Sequence, residues 1–205
     1  MKTRLNRQAT TRILCLGLGL GAIAGCGGAQ VREEPQAPSI VGKWKSPVTP
    51  MNAQQAFQLD FDIQKDVWGV DYTVFGDLKG ANKFVTVHIE GPYEMGAPSS
   101  LVPGAFEGKF GISKKTMTAH SAGAAGYLNS VGGKVNGFKA GIPLDITQSG
   151  FAPFGQYPVS MVDADYDLVK LDGDKLYFGD RPKDNNMSTP DRRPKQLATY
   201  YSVKY

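Results

Sequence analysis

Between residues 40 and 205 apolar side chains repeatedly alternate with polar ones at a period of two, and no segment carries a sustained apolar stripe at i, i+3, i+4, i+7 spacing. This constrains the fold more than any other feature of the chain. A period of two buries one face of an extended strand and leaves the other wet, whereas a helix needs a period of about 3.6. The clearest case is Gln55 to Ile63, where Phe57, Leu59, Phe61 and Ile63 share one face and Gln58, Asp60 and Asp62 the other. Val67 to Phe75 continues with β-branched and aromatic residues, and the polar turn 76–82 leads into Phe84 to Glu90. In that segment Val85, Val87 and Ile89 face one way while Thr86, His88 and Glu90 face the other. Further strands are expected at Ala105 to Ile112, Thr116 to His120, Phe138 to Thr147, Ala164 to Leu171, Lys175 to Gly179 and Gln196 to Tyr205. Asp172-Gly173-Asp174 marks a hairpin, because Asp-Gly accepts the positive φ of a tight turn. The best helical candidate, Ala122 to Val131, is interrupted by Gly123 and Gly126, each costing up to about 1 kcal/mol relative to Ala. Eight or so strands with local connections predict an all-β domain, and a meandering antiparallel sheet must close or stack to hide its edges. An up-and-down β-barrel or a β-sandwich satisfies that requirement.

The N-terminus obeys different rules. Lys2, Arg4, Arg7 and Arg12 stand in a stretch without an acid, ahead of the apolar run Ile13 to Ala24. Twelve residues of helix span about 18 Å, against a hydrocarbon core of about 30 Å. Basic start, short apolar run and small residues together predict a secretory signal over residues 1–25. Ile23-Ala24-Gly25-Cys26 resembles the bacterial lipobox, which implies cleavage after Gly25, a diacylglyceryl thioether on Cys26 and further acylation, palmitate for example, on the new amino group. The alternative is an ordinary signal peptide that leaves the cysteine unmodified. Two or three acyl chains anchor firmly where one does not. Gly27 stands where an Asp would favour inner-membrane retention, so the resemblance favours the outer membrane in a host that has one. Residues 26–39 read as the lipidated Cys and a flexible tether, since Gly27 to Ser39 has Val31 as its only bulky apolar residue and cannot offset its ordering entropy. Residues 40–205 form the β domain.

The same division disposes of the charge. The chain carries 23 Lys and Arg against 19 Asp and Glu, a formal +4, yet the four excess bases all precede residue 26. A balanced domain offers no basic footprint for nucleic acid. The two cysteines, Cys15 and Cys26, both lie in the N-terminal segment, so no disulfide framework exists downstream.

Ile40-Val41-Gly42-Lys43-Trp44 is similar to the G-x-W entry of lipocalin-like (calycin) barrels, and the aromatic-rich end Thr199 to Lys204 resembles their closing strand. The resemblance implies a Trp44 plugging the barrel floor and a cavity for a small apolar ligand. It would also place an Arg beside the last strand, packed across the Trp; Arg181, Arg192 and Arg193 all precede that strand.

On this reading Phe57, Leu59, Phe61 and Ile63, with Val85, Val87 and Ile89, supply the cavity wall. The Gly- and Pro-rich stretch 132–160 becomes a mouth loop carrying Phe138, Phe151, Phe154 and Tyr157. Catalysis finds little support. His88 and Glu90 could make an acid–base pair on one strand face; His120 and Ser121 point apart unless the strand ends there; no G-x-S-x-G surrounds a serine. Asp163, Asp165 and Asp167 have the odd spacing of a calcium loop but lack its Gly and bidentate Glu, and the plainer reading is one acidic strand face running into the turn at Asp172 and Asp174. No catalytic residue, metal site or cofactor is assigned. Arg181 to Lys195 reads as a solvated loop. Three functions follow: a membrane-anchored barrel binding a small apolar or amphipathic ligand, an envelope interaction or assembly module with a packed barrel and a protein partner, and a barrel enzyme using His88 and Glu90.

Overall fold

The computed structural model describes residues 35–205. The expectations for the signal segment, Gly25, Cys26 and the first part of the tether lie outside the described residues. Eleven strands follow in order: β1 Gly42–Lys45, β2 Thr49–Pro50, β3 Ala56–Ile63, β4 Val67–Phe75, β5 Lys83–Pro98, β6 Phe106–Gly111, β7 Lys114–Ala119, β8 Leu144–Asp145, β9 Ala164–Asp172, β10 Lys175–Phe178 and β11 Ser202–Lys204. One helix, α1 Ala122–Val131, follows β7.

Eight strands close into an antiparallel barrel in the order β1-β3-β4-β5-β6-β9-β10-β11 and back to β1. The fold is therefore all-β and the barrel, not the sandwich, is realised. β3 and β4 pair along their whole length, from Ala56↔Phe75 to Ile63↔Trp68, which sets the alternating apolar residues of both strands on one face. The β9–β10 hairpin turns at Gly173, whose φ is +61°.

β6 and β7 behave as one long, bent strand. β5 pairs with both, Tyr93↔Phe110 on one side of the bend and Glu90↔Lys114 on the other. At the bend a Cβ on Gly91 would collide with the Gly111 carbonyl, so only glycine lets the two backbones approach. Beyond the bend β7 leaves β9 and pairs with β8 instead. The region between β6 and β9 thus makes an excursion through α1 and β8 at one end of the barrel.

The core falls into two clusters. Ile40, Trp44, Phe61, Ile63, Trp68, Phe110 and Leu176 belong to the first, which fills the end where β1 begins against Ile63. Val74, Val85, Met117, Leu128, Phe138, Ile146 and Phe151 belong to the second, beneath α1.

Two expected strands are shorter than predicted. Over Phe138 to Thr147 only Leu144–Asp145 pairs as a strand, because Asn129 captures the backbone of Gly137 and Phe138 with its side-chain amide and Gly141 turns at φ +73°. Over Gln196 to Tyr205 only Ser202–Lys204 is ladder. Upstream the chain makes a lone bridge, Gly179↔Leu197, before Tyr200 turns toward the interior. α1 forms despite its two glycines: the Ser121 hydroxyl caps it by accepting from the Ala124 N–H at 3.1 Å, and Ala124, Ala125 and Leu128 are buried.

Candidate ligand-binding cavity

The barrel encloses a cavity of about 820 Å³, within the range of small-molecule sites. Its deep part is aromatic. Phe61 of β3 stacks on Phe178 of β10 at 4.8 Å between centroids, and Phe110 of β6 meets Phe178 and Trp68 edge-on at 5.5 and 5.2 Å. Trp68 donates its indole N–H to the Gly111 carbonyl at 2.7 Å, so this wall presents only ring carbon to the cavity. Leu59, Val70, Val87 and Ile89 extend the apolar surface.

Another part of the wall is charged. Lys115 of β7 and Asp165 and Asp167 of β9 are almost fully buried, with 3, 5 and 5% of their surface exposed, and all three line the cavity. Arg181 enters from the segment after β10. Its Nη2 donates to Asp165 Oδ2 at 2.7 Å and its Nε to Asn185 Oδ1 at 2.6 Å. The side chain lines the cavity and is 38% accessible. Asn185 adopts the left-handed conformation, φ +53°, and also donates to the Gly155 carbonyl, which ties Arg181 to the loop over the mouth. Tyr157 of that loop donates its hydroxyl to the Asp184 carbonyl at 3.1 Å, and its own carbonyl accepts from Lys115 Nζ at 3.1 Å.

Burial dominates the titration of these groups. It pushes the Asp167 carboxyl up to about 7, opposed by Arg181 and by the N–H groups of Leu168 and Gly179 that its Oδ1 accepts at 2.7 and 2.9 Å. It lowers the Lys115 ammonium and pushes the Tyr72 phenol up to about 12. Gly179 must be bare to serve Asp167, since a Cβ there would stand 2.5 Å from Asp167 Oδ1 and from Pro194 Cβ.

Of the residues singled out from the sequence, Phe57, Leu59, Phe61, Val87 and Ile89 line the cavity, as do Phe154 and Tyr157. Ile63 and Val85 share the inward face but lie beyond its two ends, Ile63 in the first cluster and Val85 in the second. Phe138 and Phe151 pack edge-on against each other at 5.3 Å under α1 rather than over the mouth. Trp44 is buried in the first cluster, donating its indole N–H to the Ile40 carbonyl at 2.8 Å, and contributes no cavity surface. The cation packed across it is Lys204 of β11, 5.4 Å from the ring, in the place the resemblance gives to an Arg.

Four cavity charges escaped the sequence reading, although a signal existed for two. Asp165 and Asp167 continue, at period two, into the apolar Val169 and Leu171, so their face is the inner one. The acidic strand face thus turns inward, and Arg181, at the start of the segment expected as a solvated loop, lines the cavity while remaining 38% accessible. Asp172 and Asp174 sit at the β9–β10 turn, and among the described residues no group of three His, Cys, Asp or Glu is placed to hold a metal ion.

His88 lies on the outer face of β5, its Nδ1 2.7 Å from Asp71 Oδ1 and its Nε2 3.2 Å from Glu90 Oε2. Hydrogen bonding to Asp71, then to Glu90, raises its pKa above the ordinary value. Both ring nitrogens are engaged by carboxylates, which favours the protonated ring. His120 Nε2 meets Thr86 Oγ1 at 2.8 Å while Ser121 caps α1, so the two do not form a dyad.

No protein-family model matches the chain, and no curated protein matches it significantly.

Proposed function

We propose that this protein is a bacterial envelope lipoprotein, lipidated on Cys26, whose lipocalin-like barrel binds a small amphipathic ligand without catalysing its conversion. The observation that carries this reading is the hollow barrel, lined by aromatic rings and by charged side chains. An assembly module would be served by a filled interior, because burying Lys115, Asp165 and Asp167 around empty space costs free energy that packed apolar side chains would not. A ligand with an apolar body and a polar end recovers part of that cost.

Native mass spectrometry of the protein purified from its own host is the direct test. The expected result is a small-molecule adduct that survives transfer to the gas phase; absence of any adduct, together with failure of the emptied barrel to bind hydrophobic probes, would overturn the reading. Anchoring is tested separately. Cys26→Ala is expected to move the protein out of the membrane fraction, and unchanged retention would refute lipid attachment at that residue.

A further inference from the structure

The charged end of the cavity is unevenly satisfied. Arg181 Nη2 is committed to Asp165 and its Nε to Asn185, while among the described residues Nη1 has no hydrogen-bond partner. Lys115 pairs with no carboxylate there; its ammonium, with three N–H bonds to donate, is given one neutral acceptor, the Tyr157 carbonyl. A third cation, Lys183, stands at the rim. Opposing them are two acids. Asp165 is held by Arg181, and Asp167 Oδ1 already accepts two backbone N–H groups. Burial also leaves Asp167 close to half-protonated near neutral pH. Donors and positive charge are in excess, and both point into the cavity.

Along the ladders Asp165 stands opposite Phe110 and Lys115 opposite Ile89, so charged and apolar groups adjoin within one cavity.

Resting on the ligand-binding reading above, we infer that the ligand is an amphipathic carboxylic acid, its carboxylate seated between Lys115 and Arg181 Nη1 and its apolar body against Phe61, Trp68 and Phe110. An anion there would accept the unmet N–H bonds and neutralise the excess charge. An alcohol would supply one weak acceptor, and a quaternary ammonium would add a cation to a site already positive.

The test compares three probes of equal chain length, dodecanoate, dodecanol and dodecyltrimethylammonium, by calorimetric titration below their aggregation concentrations. The protein is the full chain bearing Cys26→Ala, which cannot be lipidated there. Charge-assisted hydrogen bonds from a buried cation predict dodecanoate binding about ten- to a hundredfold tighter than dodecanol, with the ammonium weakest. Lys115→Met, similar in length and uncharged, is expected to collapse the preference for the acid. Equal binding of acid and alcohol, or tighter binding of the ammonium, would overturn the carboxylate inference and leave the ligand-binding reading standing. A preference unchanged in Lys115→Met would overturn the assignment to Lys115. Failure of all three probes would overturn the ligand-binding reading and this inference with it. Should Lys115→Met not fold, the comparison of probes on the parent chain still decides.

Discussion

Asp167 shows what a single buried carboxyl does to this barrel. Its ordinary pKa of 3.8 describes the unfolded chain, and burial moves it to about 7 in the folded one. Between those values the folded state holds a proton that the unfolded state has released, so stability falls as pH rises from 3.8 to about 7 and stays reduced above that. Asp167→Asn keeps a side-chain oxygen for the N–H groups of Leu168 and Gly179 and removes the ionisation. The variant is expected to gain Tm over the parent progressively across this window and to hold a constant advantage at higher pH; parallel melting profiles would exclude Asp167 as the source. Gly179→Ala tests the same site from the other side. A methyl wedged against Asp167 Oδ1 and Pro194 is expected to destabilise by about 1–3 kcal/mol, read as a lower denaturant midpoint. Neither effect was legible in the residues alone. The alternation marks an acidic strand face without giving it a side, and only its in-phase partners Val169 and Leu171 argue that it turns inward.

Elements were more legible than residues, and where they were misjudged the cause is local. β3, β4 and the β9–β10 hairpin follow directly from period-two patterning and one Asp-Gly turn. α1 sits on Ala122–Val131 as the one segment with any helical character, but its stability comes from the Ser121 cap and packing on β7, not from propensity. Gly126 is exposed in mid-helix and a Cβ there would meet nothing within 4 Å. Gly126→Ala is therefore expected to stabilise the protein by about 0.5–1 kcal/mol, seen as a raised urea midpoint with an unchanged slope. The expected strand at Phe138 to Thr147 failed because a helix side chain, Asn129, competes for its backbone, a tertiary contact that no alternation pattern encodes. β5, expected to end at Glu90, runs on to Pro98 for a related reason. Gly91 looks like a strand end in sequence, yet it and Gly111 are the points where two long strands bend across each other.

At the scale of the whole molecule, a closed ring of eight strands was open to inference from aromatic alternation and from the Gly42-Lys43-Trp44 entry, whereas its hollowness was not. Alternation says which face is inward and is silent on whether the inward side chains fill the volume between the walls. The hollow carries its own thermodynamic prediction. A ligand that binds only the folded barrel should stabilise it by about 2.7 kcal/mol at a hundredfold excess over its Kd, so Tm should climb with dodecanoate concentration and do so less in Lys115→Met. The bend at Gly91 and Gly111 decides where such a guest can be admitted. On one side of it every neighbouring pair of strands is laced by ladder bonds. On the other, β7 and the chain ahead of β9 are joined through side chains and loop contacts, Lys115 to Tyr157 and Thr147 to Val159. The wall is therefore mechanically anisotropic: it can yield along one seam without unzipping a sheet. Ligand occupancy is expected to slow amide exchange over Phe151 to Val162, which closes that seam, while leaving the β3–β4 ladder unchanged.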